Sequence, residues 1–240
     1  MRRHKIIVMG VIAVLMVPAA AQGAEQAVEF GRQRIGSFSI DRTEVTVAAF
    51  RAYMAARQRR SMAEAEGGGF EYAGGWTRRP GWTWAQPFGA VAGENEPAVH
   101  VTWAEADAFC HAKGGRLPTA AEWKQAAYTE SRDEPGDGFV LGRTYVYPVG
   151  DTPEGMNNGR QRHWPVAQSK RGVNGLYDMG GNAWEWLADR RGVGNDGQGG
   201  EALTAGGSWW YGAEQTRAEA MQWKPASFYA VYIGFRCAYD

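Results

Sequence analysis

Cysteine is scarce in this chain, and neither sign of charge predominates. Cys110 and Cys237 are the only cysteines among 240 residues, so a cysteine-ligated metal site would have too few ligands. Lysine and arginine together number 26, and so do aspartate and glutamate, which leaves no basic excess to attract a polyanion. We therefore expect neither a thiolate metal centre nor a nucleic-acid partner.

Long apolar runs are also missing, apart from one near the N-terminus. Residues 6–17 are almost entirely apolar, follow three basic residues and precede small residues that allow cleavage. This order predicts a secretory signal peptide over residues 1–23. The alternative is a membrane anchor, but the run is shorter than the roughly 20 residues that span a bilayer. We expect export to the periplasm or the medium, no stable membrane insertion after cleavage, and a single domain over residues 24–240.

Glycine and tryptophan, by contrast, are abundant, at 33 and 11 residues. Long helices do not tolerate this much glycine. The composition therefore predicts an α+β fold that is rich in loops, with short sheets and few helices. In an oxidising compartment, two distant cysteines more often form one disulfide than two free thiols, so a single bridge is expected.

Local patterns predict where the main helices begin. Residues 36–54 change from the alternation of a strand to the spacing of a helix. Thr102 and Thr119 each stand three residues before a glutamate, which is the spacing of a capping box, so a helix is expected to begin at each. Residues 61–94 lack sustained periodicity and are predicted to form a long ordered loop with aromatic anchors.

Four motifs occur in one order along the chain. They are PAVHVTWAEADAFCHAKGGRLPTAAEWKQAA at 97–127, NGLYDMGGNAWEWLAD at 174–189, GGSWW at 206–210 and IGFRCA at 233–238. Together they resemble the sulfatase-modifying-factor family, whose founding members are formylglycine-generating enzymes. The resemblance implies a fold related to C-type lectins. It also implies that the cysteines of the AFC and GFRCA motifs, Cys110 and Cys237, are bonded to each other.

The second motif has a chemical interpretation in the family, where the corresponding loop wraps a calcium ion. Calcium takes six to eight oxygen ligands, and a glycine-rich turn lets carbonyl groups converge on it. The alternative is a tight turn in which Asp178 acts as a cap and Glu185 pairs with an arginine. The resemblance implies a structural calcium ion held by the side chains of Asp178 and Glu185 and by the carbonyl groups near Met179, Gly181 and Ala183.

Family members that oxidise cysteine use two cysteines after the Gly-Gly-Ser motif to hold copper(I). Copper(I) selects soft thiolate ligands. The corresponding positions here are Tyr211 and Thr216, and neither offers a thiolate. We therefore predict no copper and no copper-dependent formylglycine-generating activity, which leaves open whether the protein is an enzyme of another kind.

The same segment predicts an aromatic cleft that binds a partner. Aromatic side chains give a large contact area at a small loss of entropy. Glu214 is a candidate acid or base, since nearby tryptophans would disfavour its charged form; the alternative is a solvated loop carboxylate. The residues predicted to form the cleft are Trp184, Ser208, Trp209, Trp210, Tyr211, Thr216 and Trp223.

Three functions are compatible with these features. The first is an exported accessory or maturation protein that binds a protein or peptide in the cleft, and the wording of the last two motifs looks most like accessory proteins associated with copper nitrite reductases. The second is a tailoring enzyme for a siderophore or another small molecule, with or without iron. The third is a lectin-like module that binds a ligand. Iron in the purified protein or substrate turnover would favour the second.

Overall fold

The computed structural model describes residues 31–159, 161–194 and 199–240. The predicted signal peptide lies outside the described residues. Within the described ranges, no helix has the length and apolar character needed to cross a bilayer.

The chain forms short helices and strands joined by long loops. Four α-helices occur among the described residues: α1 (Val47–Arg57), α2 (Met62–Ala65), α3 (Trp103–Ala112) and α4 (Ala120–Tyr128). Two 3-10 turns cover Val173–Gly175 and Ala213–Thr216. The strands are β1 (Arg32–Ile35), β2 (Phe38–Asp41), β3 (Gly68–Tyr72), β4 (Trp76–Pro80), β5 (Trp184–Arg191), β6 (Glu201–Ala205), β7 (Gln222–Pro225), β8 (Ile233–Gly234) and β9 (Ala238–Tyr239). This is the loop-rich α+β fold that the composition predicted.

Three small sheets organise the chain. One has the order β1-β2-β9, the second is the β3-β4 hairpin, and the third has the order β7-β6-β5-β8. In the third sheet β5 pairs antiparallel with β6 and parallel with β8. Apolar clusters cover both faces of this sheet: one includes α1 and α3, and the other includes α4 and the first sheet. The sheet therefore forms the centre of the core, and the motif 174–189 runs into its strand β5.

The two predicted capping boxes are both present. The side chains of Thr102 and Thr119 accept hydrogen bonds from the backbone N–H groups of Glu105 and Glu122, whose carboxylates accept from the backbone N–H groups of the two threonines. These reciprocal bonds satisfy N–H groups that a helix start otherwise leaves unpaired.

The two cysteines form one disulfide, as predicted. Cys110 on α3 and Cys237 near the C-terminus are bonded, with their Cα atoms 5.4 Å apart. Both residues are buried in the cluster that includes α1 and α3. The bridge therefore fixes the last strands against a central helix.

The prediction of a continuous loop over residues 61–94 is wrong. Ser61 caps α2 with a complete capping box closed by Glu64, and β3 and β4 form an antiparallel hairpin in which Gly68 is paired with Pro80. The strand alternation is hard to see in the sequence because β3 begins with two glycines. Gly69 has to be small, since a Cβ atom there would lie 2.1 Å from Nδ1 of the buried His100.

Candidate functional site

The central sheet separates two groups of predicted site residues. Successive side chains of a strand point to opposite faces, so Trp184 and Glu185 on β5 face opposite ways. Trp184 belongs to the apolar cluster that includes α1 and α3, whereas Glu185 bonds to Trp123 of α4 on the other side. The predicted cleft and the predicted calcium loop therefore meet at β5 but lie on different faces.

A pocket opens on the Trp184 face, in the segment that follows the Gly-Gly-Ser motif. Its volume is about 470 Å³, and its lining residues are Trp210, Tyr211, Gly212, Glu214 and Gln215. Three of them, Trp210, Tyr211 and Glu214, were predicted from the sequence. The size is in the range of small-ligand pockets, so it can take one or two side chains of a peptide or a small molecule.

Tyr211 and Trp209 connect this pocket to the core. The ring of Tyr211 stands edge-on to that of Trp184, with 5.7 Å between centroids. Burial raises the pKa of Tyr211, and the nearby Tyr72 adds to this effect, so its phenol is neutral at physiological pH. Trp209 is buried and contacts Trp210, which is partly exposed.

Beside the pocket lies a band of rings, exposed at one end and buried at Tyr232, that the sequence analysis did not find. We call it the aromatic strip and define it as Tyr72, Trp76, Phe228 and Tyr232. Trp76 contacts each of the other three, with centroid distances between 4.7 and 6.1 Å, and Tyr232 contacts Trp210 at 5.9 Å. Tyr72 and Trp76 are 46% and 49% exposed, which marks the strip as available for contact. The strip is formed by the β3-β4 hairpin and by the loop that contains Phe228 and Tyr232. Because these segments are far apart in the chain, no local sequence pattern predicts it.

Ser208 and Thr216 lie beneath the pocket rather than in its lining. Both are fully buried. Thr216 donates a hydrogen bond from Oγ1 to the carbonyl of Ala213, and its methyl group fills the space beside Gly207. Ser208 Oγ has no hydrogen-bond partner among the described residues.

The assignment of Trp223 to the cleft is wrong. Trp223 pairs with Leu203 across β7 and β6, and both pack in the cluster on the Glu185 face. Trp184 lies in the cluster on the other face. The period of two along β7 explains the difference, because it directs Lys224 instead of Trp223 toward the Trp184 side.

Glu214 lies at the rim of the pocket in a solvated position. Its side chain is 74% exposed and forms an ion pair with Arg217 at 3.1 Å. Its carboxylate is open to solvent instead of being enclosed by the tryptophans. The structure therefore matches the alternative, a solvated loop carboxylate.

On the opposite face, Glu185 is engaged by an arginine. Its two carboxylate oxygens accept hydrogen bonds of 2.7 Å from Nε and Nη2 of Arg236, and Oε2 also accepts from Trp123 Nε1 at 2.8 Å. Both charged side chains are fully buried. Glu185 therefore does not fit the predicted calcium ligand set, because its oxygens are occupied by the ion pair.

Asp178 fits that ligand set better. Its Oδ2 accepts a hydrogen bond from the backbone of Ala167 at 2.6 Å, whereas Oδ1 is buried without a partner among the described residues. Burial raises the pKa of Asp178. Across the described residues, no group of three or more His, Cys, Asp or Glu side chains has the arrangement of a metal site. A calcium ion would therefore depend on Asp178 Oδ1 and backbone carbonyl groups.

A buried glutamate that the sequence analysis did not identify completes this cluster. Glu44 accepts hydrogen bonds from Asn182 Nδ2 at 2.6 Å and from the backbone of Ala183 at 3.0 Å. Burial raises the pKa of Glu44 well above its usual value, and Asp178 and Glu185 raise it further. The sequence signal was a charged residue between Thr43 and Val45 at the junction of a strand and a helix.

The buried histidines have structural positions. His100 is fully buried, and its Nε2 lies 3.0 Å from the carbonyl of Pro87, to which it donates. Burial lowers the pKa of His100 to about 4. His163 Nε2 contacts Glu96 at 2.7 Å. Neither is among the residues that line the pocket.

The fold and site define a loop-rich α+β domain with a pocket formed by the segment after a Gly-Gly-Ser turn. The family described as "Sulfatase-modifying factor enzyme 1-like domain" matches residues 13–240. The chain therefore belongs to this family, which also contains the formylglycine-generating enzymes.

Relatives in the family include both an enzyme and a protein named as inactive. The chain is 31% identical over 193 residues to the formylglycine-generating enzyme of Streptomyces coelicolor, covering 65% of this chain and 59% of that protein. It is 33% identical over 180 residues to the inactive C-alpha-formylglycine-generating enzyme 2 of Mus musculus, covering 63% and 58%. The match thus spans less than two thirds of either relative.

Among solved structures, the fold is similar to that of CarF. The TM-score is 0.58 at 24% identity, over 84% of this chain and 85% of that chain. At this identity, the similarity concerns the fold alone.

Proposed function

We propose that this protein is an exported accessory or maturation protein that binds a segment of another protein or a peptide in its aromatic pocket. The observation that carries the proposal is the pocket of about 470 Å³ between Trp210 and Gln215, continued at the surface by the exposed rings of the aromatic strip, Tyr72 and Trp76. Large, rigid aromatic side chains are the residues that most often dominate binding energy at interfaces. The disulfide supports export, because such bridges persist in oxidising compartments.

The function does not include copper-dependent oxidation of cysteine. Tyr211 and Thr216 stand at the two positions that the family resemblance assigns to the copper ligands, and Thr216 is buried with its hydroxyl bonded to Ala213. The residues of the pocket therefore favour recognition over oxidation.

Affinity capture with matched baits tests the binding proposal. The full chain and the variants Trp210→Ala and Trp164→Ala are used to capture proteins from a periplasmic extract, and captured proteins are quantified by mass spectrometry. Trp164 is as exposed as Trp210, at 36%, but does not line the pocket. We expect a partner that is lost with Trp210→Ala and kept with Trp164→Ala; equal capture by all three baits would contradict the proposal.

A direct assay tests the absence of oxidase activity. The protein is incubated with copper, a reductant and a peptide that contains a sulfatase cysteine motif, and the peptide mass is measured. We expect an unchanged cysteine. Formation of formylglycine would contradict the assignment of Tyr211 and Thr216 as residues without a redox role.

A further inference from the structure

Lys224 is a half-buried cation on the pocket side of the central sheet. Because β7 alternates, its side chain points away from Trp223 and toward Trp184, and Nζ lies 4.7 Å from the centre of the Trp184 ring. Burial lowers the pKa of Lys224 to about 8. At neutral pH the amine is therefore mostly protonated, and its charge is partly removed from water.

The charge of Lys224 has no acidic partner within the described part of the chain. The ion pairs of that part do not include it, and desolvation is the one cause of its pKa shift. Nζ donates a single hydrogen bond there, to Gln222 Oε1 at 2.8 Å. A protonated amine has three donors, so two remain for a ligand. Burial of a charge without a counter-charge is unfavourable, and a bound anion would reverse this.

Two chains of contacts connect Lys224 to the pocket lining. Gln222, which accepts from Lys224, donates from Nε2 to Gln215 Oε1 at 3.0 Å, and Gln215 lines the pocket. Trp184, which lies under the amine, contacts the lining residue Tyr211 edge-on. Lys224 is therefore one residue removed from the lining residues Gln215 and Tyr211, so a ligand that extends past them can reach its amine.

A hydrogen-bond donor beside Lys224 lacks an acceptor. Trp184 Nε1, a donor only, is buried without a partner among the described residues. A buried donor without an acceptor is unfavourable, so this side of the pocket favours a ligand group that accepts hydrogen bonds and carries negative charge.

We infer that the pocket takes a ligand with a carboxylate next to a flat apolar group, and that Lys224 Nζ binds the carboxylate while Trp210 and Tyr211 contact the apolar part. For the proposed protein or peptide partner, on which this inference rests, the ligand would be an acidic side chain or a C-terminal carboxylate beside an aromatic residue. Nothing in the family resemblance assigns a role to Lys224.

Two probes of the same shape, one with a carboxylate and one with a neutral amide, test the inference. Indole-3-acetate and indole-3-acetamide share an aromatic group, but only the first carries a carboxylate. Their affinities for the full chain at pH 7 are measured by ligand-observed NMR titration. Hydrogen bonds to charged groups predict a preference of about tenfold or more for the acetate.

Lysine variants test whether Lys224 causes the preference for indole-3-acetate. We expect Lys224→Met to abolish it, Lys224→Arg to keep most of it because the charge is retained, and Lys124→Met, which alters an exposed lysine of α4, to leave it unchanged. If Lys224→Met does not fold, the comparison of the two probes on the unaltered chain and on Lys224→Arg still decides the question.

The outcomes separate this inference from the proposed function. Equal affinity of the two probes for the unaltered chain, or a preference that survives in Lys224→Met, would overturn the role of Lys224 and leave the pocket as a binding site. Failure of both probes to bind would overturn the anion site, while capture of a partner that depends on Trp210 would still support the proposed function.

Discussion

Glu185 and Arg236 form a buried ion pair on which the stability of this core depends. Arg236 also donates to the carbonyl groups of Asp41 and Tyr177, so it connects β5 of the central sheet to the end of β2 and to the loop at Tyr177. If Arg236 is replaced by Met, the buried carboxylate of Glu185 loses its counter-charge. Loss of one partner of a buried pair costs about 3–5 kcal/mol, and we expect Arg236→Met to lower the free energy of unfolding, measured with urea, by this amount.

The control for this prediction is an exposed pair at the far end of the same sheet. Arg191 pairs with Glu201 at 2.7 Å, with both side chains substantially exposed. Exposed pairs contribute about 0–1 kcal/mol, so Arg191→Met should have a small effect. Similar losses for the two variants would show that burial of the Glu185 pair does not determine its contribution.

His100 predicts a dependence of stability on pH. Its pKa is about 4 in the folded state because burial disfavours the charged ring, whereas in the unfolded chain it is about 6.5. The unfolded state therefore binds a proton as pH falls below 6.5 while the folded state does not, so stability contributed by neutral His100 is lost toward pH 4. Above pH 6.5 this contribution is constant.

Replacing His100 measures the stability that its neutral side chain contributes. We expect His100→Gln to be less stable than the unaltered chain at pH 7.5 and the difference to shrink at pH 4.5, in urea unfolding at several pH values. His111→Gln, at an exposed position on α3, is the control and should change the free energy of unfolding little, because exposed substitutions have small effects. A gap for His100→Gln that stays constant or widens on acidification would contradict the low pKa.

At the scale of elements, local signals were predicted well and long-range pairing was not. The capping boxes at Thr102 and Thr119 involve residues three positions apart, so the sequence contains all that determines them. The β3-β4 hairpin depends on Gly69 fitting against His100, and the aromatic strip joins Trp76 to Phe228. In both cases the contacting residues are far apart in the chain, so the local sequence pattern does not reveal the contact. Trp223 was misplaced for the same reason, since strand register decides which face a side chain occupies.

The loop at residues 174–185 carries the calcium prediction. The described residues support it only in part: Glu185 is paired with Arg236, whereas Asp178 Oδ1 has no hydrogen-bond partner among them. We expect added calcium to raise the Tm and a chelator to lower it, since a ligand that binds only the folded state stabilises it. Differential scanning calorimetry measures both effects.

Two aspartate variants make this test specific. Asp178→Asn should remove the response to calcium, because it weakens the one side-chain oxygen available for the ion. Asp151→Asn changes an exposed carboxylate and should leave the response intact. If the Tm is the same with calcium and with the chelator, the calcium prediction is contradicted. The Glu185–Arg236 pair would then stabilise the loop without calcium.

At the scale of the whole molecule, the disulfide links segments that are far apart in the chain. Cys110 and Cys237 are separated by 127 residues, and in the chain-entropy model a loop of this length stabilises the folded state by about 4–5 kcal/mol. The double variant Cys110→Ala/Cys237→Ala should lose stability of this order in urea unfolding, and added reductant should destabilise the unaltered chain but leave the double variant unchanged.

Thiol labelling completes this test and bears on export. After denaturation without reductant, we expect alkylation to add no mass to the exported protein, since both cysteines are bonded. Protein made in a reducing cytoplasm should take up two labels and unfold at lower urea concentration. Two labels on the exported protein would contradict the bridge, and the ion pair of Arg236 with Glu185 would then have to fix the C-terminal segment without it.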